Sequence, residues 1–282
     1  MKQYGIIIDS TVYLSQEEIK KYNIEQVSLN IIAKGETFKE LEVDNDFVYG
    51  KLDNGIKLTT SQPAPGEFLD KYEEMLAKGY EKLFVICFGE KLSGTYQSAI
   101  LAKSMLENSD LVHVFNTNSA AYGLELLTLE LAELIEKEKP ANEIIERLDK
   151  LINNSNLLFT LENLISLLRS GRLSKTKAAI GTVLRVKPII RMVEGKLELV
   201  KSTRTHKKIT DYVLEQMRET LDESKEIIIR VLSKNSSEHT RELLEKIKEV
   251  YPKAKITFNE YLGPLFSLHL GKKGYGVAWT NA

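Results

Sequence analysis

Residues Leu83–Gln97 read LFVICFGEKLSGTYQ, an apolar run followed by a short loop of small and polar residues. The apolar run shows no polar alternation, which is typical of a strand covered on both faces in a parallel sheet. Gly89 ends the run, and Ser93 has the position of a helix N-cap before the apolar spacing that begins at Ala99. A strand, a loop and a helix N-terminus in this order favour an anion, because free N–H groups and hydroxyls meet there. The simpler alternative is that Ser93 only caps its helix.

Length and composition bound the class of protein. A chain of 282 residues suits one large or two moderate domains, and its net charge of −1 predicts no general attraction to nucleic acid or to an anionic membrane. The single cysteine, Cys87, lies in the predicted buried strand. No run reaches the roughly 18 apolar residues of a membrane helix, and Gly5–Ile8 is too short for the apolar region of a signal peptide. We therefore expect a cytoplasmic protein without an integral membrane segment.

Strands and helices alternate through residues 1–155, which predicts an α/β domain with a mainly parallel sheet. The stretch Leu58–Gly66 contains two prolines and a glycine, so we predict a stiff loop that carries the hydroxyls of Thr60 and Ser61. The other strands predicted in this half are Gly5–Ile8, Val27–Ile32 and Leu111–Phe115.

Polar side chains follow four of these predicted strands, each close to the carboxyl end. In open α/β sheets, ligands bind outside the carboxyl ends of the strands. The pattern therefore predicts a ligand site at this edge, formed by Ser10 and Thr11, Thr60 and Ser61, Ser93 and Thr95, and Asn118 and Ser119.

The second half, residues 156–282, has a different pattern and is predicted to be a separate α+β domain. Its sheet contains a hairpin, because strand-like runs flank the turn residues Glu194 and Gly195. A helix is predicted over Leu161–Arg169, with a stop at Gly171. Glycines and a proline bracket His269 and predict that it lies on a loop.

Several catalytic classes are disfavoured by the residues present. Gly89 and Gly94 have the spacing of P-loop glycines, but Thr95 stands where the phosphate-binding lysine is required. The sequence before Ser93 lacks the first glycine of a nucleophile elbow. The histidines have no metal-ligand spacing, so we expect no metal site. Many neutral donors without a base–nucleophile pair favour the binding of an anion over the cleavage of a bond.

Five segments occur in the order typical of one known family: Asp9–Thr11, Thr60–Phe68, Leu92–Ala99, Ser170–Ser174 and Lys187–Ile190. On these segments the chain resembles the DegV family of bacterial fatty-acid-binding proteins, which includes the acyl-carrying subunits of fatty-acid kinase. The resemblance covers essentially the whole chain.

The resemblance implies that one long-chain fatty acid is the ligand, with no other cofactor. The acid would lie in a tunnel between the two domains, and residues 156–282 would contribute much of its acyl-chain pocket. It implies that the carboxylate meets the hydroxyls of Ser93 and of Thr60 or Ser61, with Gly94 and Thr95 in the same loop and His269 close by. Asp9, Ser10 and Ser119 belong to the pocket by the same resemblance.

The resemblance also implies a non-catalytic role. A separate kinase subunit would phosphorylate the bound carboxylate, and Arg172 and Arg204 would meet the phosphate or the kinase. The segment His269–Gly274 departs from the family pattern and adds two lysines near the predicted mouth, which leaves the kinase partnership open.

A second hypothesis of a different class is an enzyme that acts alone on a small phosphorylated or sugar-like substrate. Its motivation is Asp9–Thr11, which is similar to an aspartyl-phosphate motif, although Thr11 stands where a second aspartate is expected.

Overall fold

The structure is a computed structural model and describes residues 4–161, 164–173, 186–233, 238–271 and 274–281. The chain divides into two compact units. The first is Met1–Asp149 with Gly263–Leu265, and the second is Lys150–Leu262 with Phe266–Ala282. Each unit has a hydrophobic core of its own.

The first unit alternates strands and helices. Its strands are β1 (Tyr4–Asp9), β2 (Ile24–Val27), β3 (Asn30–Ala33), β4 (Glu36–Lys39), β5 (Leu58–Ser61), β6 (Lys82–Cys87) and β7 (Val112–Asn116). Its helices are α1 (Gln16–Lys21), α2 (Asn45–Asp53), α3 (Pro65–Ala77), α4 (Thr95–Ser104) and α5 (Tyr122–Glu136), and α6 (Ala141–Asn154) runs on into the second unit.

A parallel sheet with the strand order β2-β1-β6-β7 forms the centre of the first unit. Residues Leu83–Cys87 of β6 are all buried, as the unbroken apolar run predicts for a strand covered on both faces. In the strand order, β2 lies on one side of β1, whereas the later strands β6 and β7 lie on its other side. The boundary between β1 and β6 is therefore a topological switch point, where open α/β sheets bind ligands.

A second, antiparallel sheet with the order β4-β3-β5 corrects two predictions. The single strand predicted over Val27–Ile32 is wrong, because Leu29 directs its N–H to Ser10 Oγ and its carbonyl to Glu40 N and so interrupts the ladder. The stiff loop predicted over Leu58–Gly66 is also wrong in its first half, which is β5. The prolines lie beyond this strand, and Pro65 begins α3.

The second unit is a mixed sheet with helices. Its strands are β8 (Asn156–Leu161), β9 (Lys187–Val193), β10 (Lys196–Thr203), β11 (Ile227–Ser233), β12 (Lys255–Asn259) and β13 (Gly274–Asn281). Its helices are α7 (Ile165–Arg169), α8 (His206–Thr220), α9 (Glu238–Val250) and α10 (Pro264–Leu270), of which Pro264 and Leu265 belong to the first unit. The strand order is β10-β9-β8-β13-β11-β12, and within the described ranges only β11 and β12 are parallel.

Two turns of this unit have the backbone conformation that their residues predict. Glu194 and Gly195 join β9 to β10 with φ values of 47° and 78°, as a tight hairpin requires. Gly171 has a φ of 73°, beyond the end of α7, where a helix stop is expected. The chain therefore combines an α/β unit with an α+β unit whose sheet contains a hairpin, as predicted.

Two element predictions for the second unit are wrong. Leu161 is the last residue of β8 rather than the start of a helix, and α7 begins at Ile165. Glu162 and Asn163 lie outside the described residues. His269 lies on α10 rather than on a loop, because Pro264 takes the first position of a helix, where its fixed φ is favourable. None of the helices within the described ranges is long and apolar enough to span a membrane.

Candidate functional site

Three loops meet at the carboxyl edge of the parallel sheet. Asp9, the last residue of β1, accepts a hydrogen bond from the backbone N–H of Phe88 at 2.6 Å. Gly89 donates its N–H to the carbonyl of Ser119 at 3.0 Å, in the turn after β7. Because the switch point lies between β1 and β6, these contacts bring three of the four predicted polar segments of the first unit together where a ligand is expected.

Ser93 lies at the centre of this edge, in the loop between β6 and α4. Its Oγ accepts from the N–H of Thr95 at 3.3 Å and shares a hydrogen bond with Thr95 Oγ1 at 2.8 Å. The predicted N-cap role is wrong by one residue, since Gly94 occupies that position, although Ser93 Oγ still accepts from the first N–H of α4, that of Thr95. The N–H groups at the start of α4 include donors without an intrahelical acceptor, which favours an anion.

The end of β5, in the antiparallel sheet, lies beside this loop. Gln62, directly after β5, packs so closely on Gly94 that an added Cβ there would lie 2.9 Å from Gln62 Nε2. Ser61 is half-buried and accepts a hydrogen bond from Asn30 Nδ2 at 3.2 Å. Thr60 precedes Ser61 on the same strand, so the two side chains point to opposite faces of the sheet.

Two buried carboxyl groups lie beside this edge. Asp9 is fully buried and accepts from the N–H and the hydroxyl of Thr11 as well as from Phe88. Glu40 is 2% exposed and accepts from Ser10 Oγ at 2.6 Å, Tyr13 OH at 2.8 Å and the N–H of Leu265 at 3.0 Å. Burial raises the pKa of Asp9 to about 6 and that of Glu40 to about 7.

Glu40 and Asn30 are the residues that sequence reasoning missed. Glu40 lies in a charged segment with several other glutamates, and one of its partners is 225 positions away. Asn30 stands inside an apolar run that was interpreted as one continuous strand. Neither position carries a local pattern that separates it from an ordinary surface or strand residue.

The remaining predicted site residues have different environments. Ser10 and Ser119 are buried, and Ser10 donates to Glu40 while it accepts from the N–H of Leu29. In the second unit, Arg204 is exposed, and Arg172 is half-buried and donates from Nη1 to the carbonyl of Ser170 at 2.7 Å. Burial lowers the pKa of His269 to about 4, and the charge of Arg172 acts in the same direction.

The two lysines of the departure from the family pattern, Lys272 and Lys273, lie outside the described residues. A cavity in the core of the second unit holds about 10 Å³ and is lined by residues that include Leu158, Ile189, Val213 and Val277. This volume suits at most one water molecule, so the cavity is not an acyl-chain site. No group of metal-ligating side chains occurs within the described part of the chain.

Fold and site together define a class: an α/β unit with a polar loop site at the switch point of a parallel sheet, in one chain with an α+β unit. The chain belongs to the DegV family. Residues 3–282 match the family model described as "Uncharacterised protein, DegV family". A DegV domain-containing protein of Staphylococcus aureus (strain COL) is 31% identical over 281 residues, which cover 98% of this chain and 97% of that protein.

Two solved structures are similar over the whole length. The structure entitled "Fatty Acid Binding of a DegV family Protein from Thermus thermophilus" has a TM-score of 0.91 at 26% identity and covers 99% of this chain and 100% of its own. That of DegV, a fatty acid binding protein from Bacillus subtilis, has a TM-score of 0.84 at 28% identity and covers 100% of both chains.

Proposed function

We propose that this protein binds one long-chain fatty acid and holds its carboxylate at the loop Gly89–Thr95. The observation that supports the proposal is the contact of the loop Gly89–Thr95 with the turn after β7 and with Gln62 at the end of β5, beside the switch point of the parallel sheet. The two similar structures from Thermus thermophilus and Bacillus subtilis, both described in terms of fatty acid binding, support the ligand class.

The chemistry of the loop suits a carboxylate. A buried carboxylate without partners would be costly, whereas each hydrogen bond to it contributes about 1.5–3 kcal/mol. Ser93, Thr95 and Ser61 supply neutral hydroxyls, which bind an anion without bringing a second buried charge. Asp9 and Glu40 direct their oxygens to protein donors, and the pKa of Glu40, raised by burial to about 7, keeps part of that group uncharged near neutral pH and so reduces its repulsion of an anion.

The tail supplies most of the binding energy in this proposal. About fourteen buried methylenes of a sixteen-carbon acid contribute roughly 11 kcal/mol, at about 0.8 kcal/mol each. Ordering the ligand and its surroundings opposes this by several kcal/mol. That the tail lies between the two domains, with residues 156–282 contributing much of its pocket, stays a prediction, as does the approach of His269 to the head group.

The first test is the substitution Ser93→Ala. We expect lipid-free Ser93→Ala protein to bind palmitate about tenfold more weakly than wild type, because the loss of one hydrogen bond to a carboxylate costs about 1.5 kcal/mol or more. Isothermal titration calorimetry measures the affinity, and native mass spectrometry of the untreated protein identifies any fatty acid that copurifies.

The matched control is Ser104→Ala, at the other end of α4, where the hydroxyl donates only to the Leu101 carbonyl at 2.7 Å. Its affinity should equal that of wild type. Equal affinities for Ser93→Ala and wild type would show that Ser93 serves only its local turn, and wild-type protein that binds no fatty acid would overturn the proposal.

We also propose that a separate kinase subunit phosphorylates the bound carboxylate, with Arg172 and Arg204 directed to the phosphate or to the kinase. The half-buried guanidinium of Arg172, whose charge acts on His269 in the same unit, supports a role at a site rather than in bulk solvent. This protein would then be the non-catalytic, acyl-carrying partner.

The kinase proposal is tested by acyl-phosphate formation from ATP and bound palmitate, with and without a fatty-acid kinase subunit. We expect product only with the kinase, a rate reduced at least tenfold by Arg172→Ala, and an unchanged rate for the exposed control Arg218→Ala. A normal rate in Arg172→Ala would refute the role of Arg172. Turnover of a phosphorylated substrate by this protein alone would favour the enzyme hypothesis, which the burial of Asp9 disfavours.

A further inference from the structure

Asn30 and Ser61 form a cross-strand pair beside the proposed carboxylate site. They lie directly opposite each other in the register of β3 and β5, so their side chains share one face of the antiparallel sheet. Asn30 is 8% exposed, and its Nδ2 donates to Ser61 Oγ and to the backbone carbonyl of Gln62, each at 3.2 Å.

The Gln62 carbonyl determines which way the Asn30 amide points. A carbonyl oxygen only accepts hydrogen bonds, so the group that faces it must be the –NH₂ of Asn30 and not its oxygen. The same –NH₂ then donates to Ser61 Oγ. The hydroxyl of Ser61 is therefore held as an acceptor towards Asn30, and its own proton has to point elsewhere.

The Ser61 proton has no acceptor among the described residues, although its oxygen is engaged. A hydroxyl carries one proton, and here that proton is left to face a group outside the sheet. The contact between Gln62 and Gly94 brings this end of β5 next to the loop of Ser93. A group that is complementary at this point is a hydrogen-bond acceptor, and a charged carboxylate oxygen accepts more strongly than an alcohol oxygen.

The side chain of Asn30 also makes an unfavourable contribution to the free energy of folding that packing does not explain. Its Oδ1 is buried and has no hydrogen-bond partner within the described part of the chain. An unsatisfied buried acceptor is unfavourable, and a β-branched apolar residue would suit a strand better. The amide of Asn30 thus lowers the stability of the strand, but it orients the hydroxyl of Ser61.

We propose that Asn30 is a positioning residue that holds the Ser61 hydroxyl as a donor and so favours a carboxylate over a neutral head group. This inference rests on the proposed fatty-acid function and adds a basis for head-group selectivity. Without Asn30, the Ser61 hydroxyl would rotate freely and could donate to an acid or accept from an alcohol.

The test is a double-mutant cycle on lipid-free protein with palmitate and hexadecanol as probes. We expect Asn30→Val to bind palmitate about fivefold more weakly, with unchanged or tighter binding of hexadecanol and an unchanged or higher melting temperature. Ser61→Ala should weaken palmitate binding about tenfold, and the double variant should bind no more weakly than Ser61→Ala, because Asn30 acts through Ser61. The control Thr59→Val, exposed on the same face of β5, should leave both affinities unchanged.

The outcomes separate this inference from the proposed function. Wild-type protein that binds neither probe overturns both. If wild type binds palmitate and Asn30→Val binds it with the same affinity, only the positioning role is overturned. The same holds if the losses of palmitate affinity in Asn30→Val and Ser61→Ala are additive in the double variant. An equal loss of affinity for palmitate and hexadecanol in Asn30→Val would also overturn it, because a purely structural defect weakens both probes alike.

Discussion

The variant Glu40→Ala is expected to lower the free energy of unfolding by about 3 kcal/mol at pH 7, because it leaves several buried donors without an acceptor. Three groups lose their partner at once: Ser10 Oγ, Tyr13 OH and the N–H of Leu265. Urea denaturation followed by circular dichroism measures the change. Glu42→Ala, an exposed glutamate two positions further on, is the control and should change stability by less than about 0.5 kcal/mol. Equal stabilities of the two variants would contradict the buried role of Glu40.

A second variant at the same position, Glu40→Gln, reports the titration of this group. The pKa of Glu40 is 4.5 in the unfolded chain and about 7 in the fold, so between these values the folded state keeps a proton that the unfolded state releases. The contribution of Glu40 to stability therefore falls as pH rises from 4.5 to about 7 and is constant above that range.

Glutamine does not titrate, so the stability of Glu40→Gln relative to wild type should rise by about 2 kcal/mol between pH 5 and pH 8. Comparing the two proteins at each pH removes the opposite contribution of His206 and His269, whose burial lowers their pKa values to about 4. A difference that stays constant with pH would show that the carboxyl group of Glu40 does not titrate in this range.

The variant Gly89→Ala is expected to destabilise the first unit by about 3 kcal/mol and to weaken palmitate binding at least tenfold. A Cβ at position 89 would lie 2.9 Å from the backbone nitrogen of Ser119 and 3.1 Å from its carbonyl oxygen. That backbone has little freedom to move, since Asn118 and Ala121 already hold φ values of 47° and 43°. Because Leu92 and Ser93 donate their N–H groups to the Gly89 carbonyl, a shift there would displace the head-group loop.

Gly66→Ala is the matched control for this substitution. Gly66 lies in the first turn of α3, and an added Cβ would meet no atom within 4 Å. Alanine is the better helix former by up to about 1 kcal/mol, so this variant should be as stable as wild type or more so. Normal stability and palmitate affinity in Gly89→Ala would refute the close packing of the two loops.

Thr60 and Ser61 show which part of the site geometry the sequence does not predict. The prolines of this segment predict a loop, and the family resemblance implies that the hydroxyl of Thr60 or of Ser61 meets the carboxylate. Pairing with β3 turns the segment into a strand, and the alternation of a strand then separates the two side chains. The pairing partner lies about thirty positions away, at Asn30, so no local pattern could have revealed it.

His269 and Ser93 show the same limit at helix starts. The glycines and the proline around His269 indicated a break in structure, yet Pro264 begins a helix that contains the histidine. Ser93 carried the residue type of an N-cap, but Gly94 takes that position. Residue type marks the end of an element to within one or two positions, and the neighbouring chain decides the rest.

The parallel sheet, the hairpin and the polar groups that follow β1, β6 and β7 were determined by the sequence alone, because apolar periodicity and turn chemistry act over a few neighbouring residues. Only the tertiary structure decided three sets of contacts. Asn30 donates a hydrogen bond to Ser61, and Glu40 accepts hydrogen bonds from Ser10, Tyr13 and Leu265. The turn after β7 packs on Gly89. These contacts join residues far apart in the chain. Their energies depend on burial and on donor and acceptor geometry, which exist only once the sheets have formed.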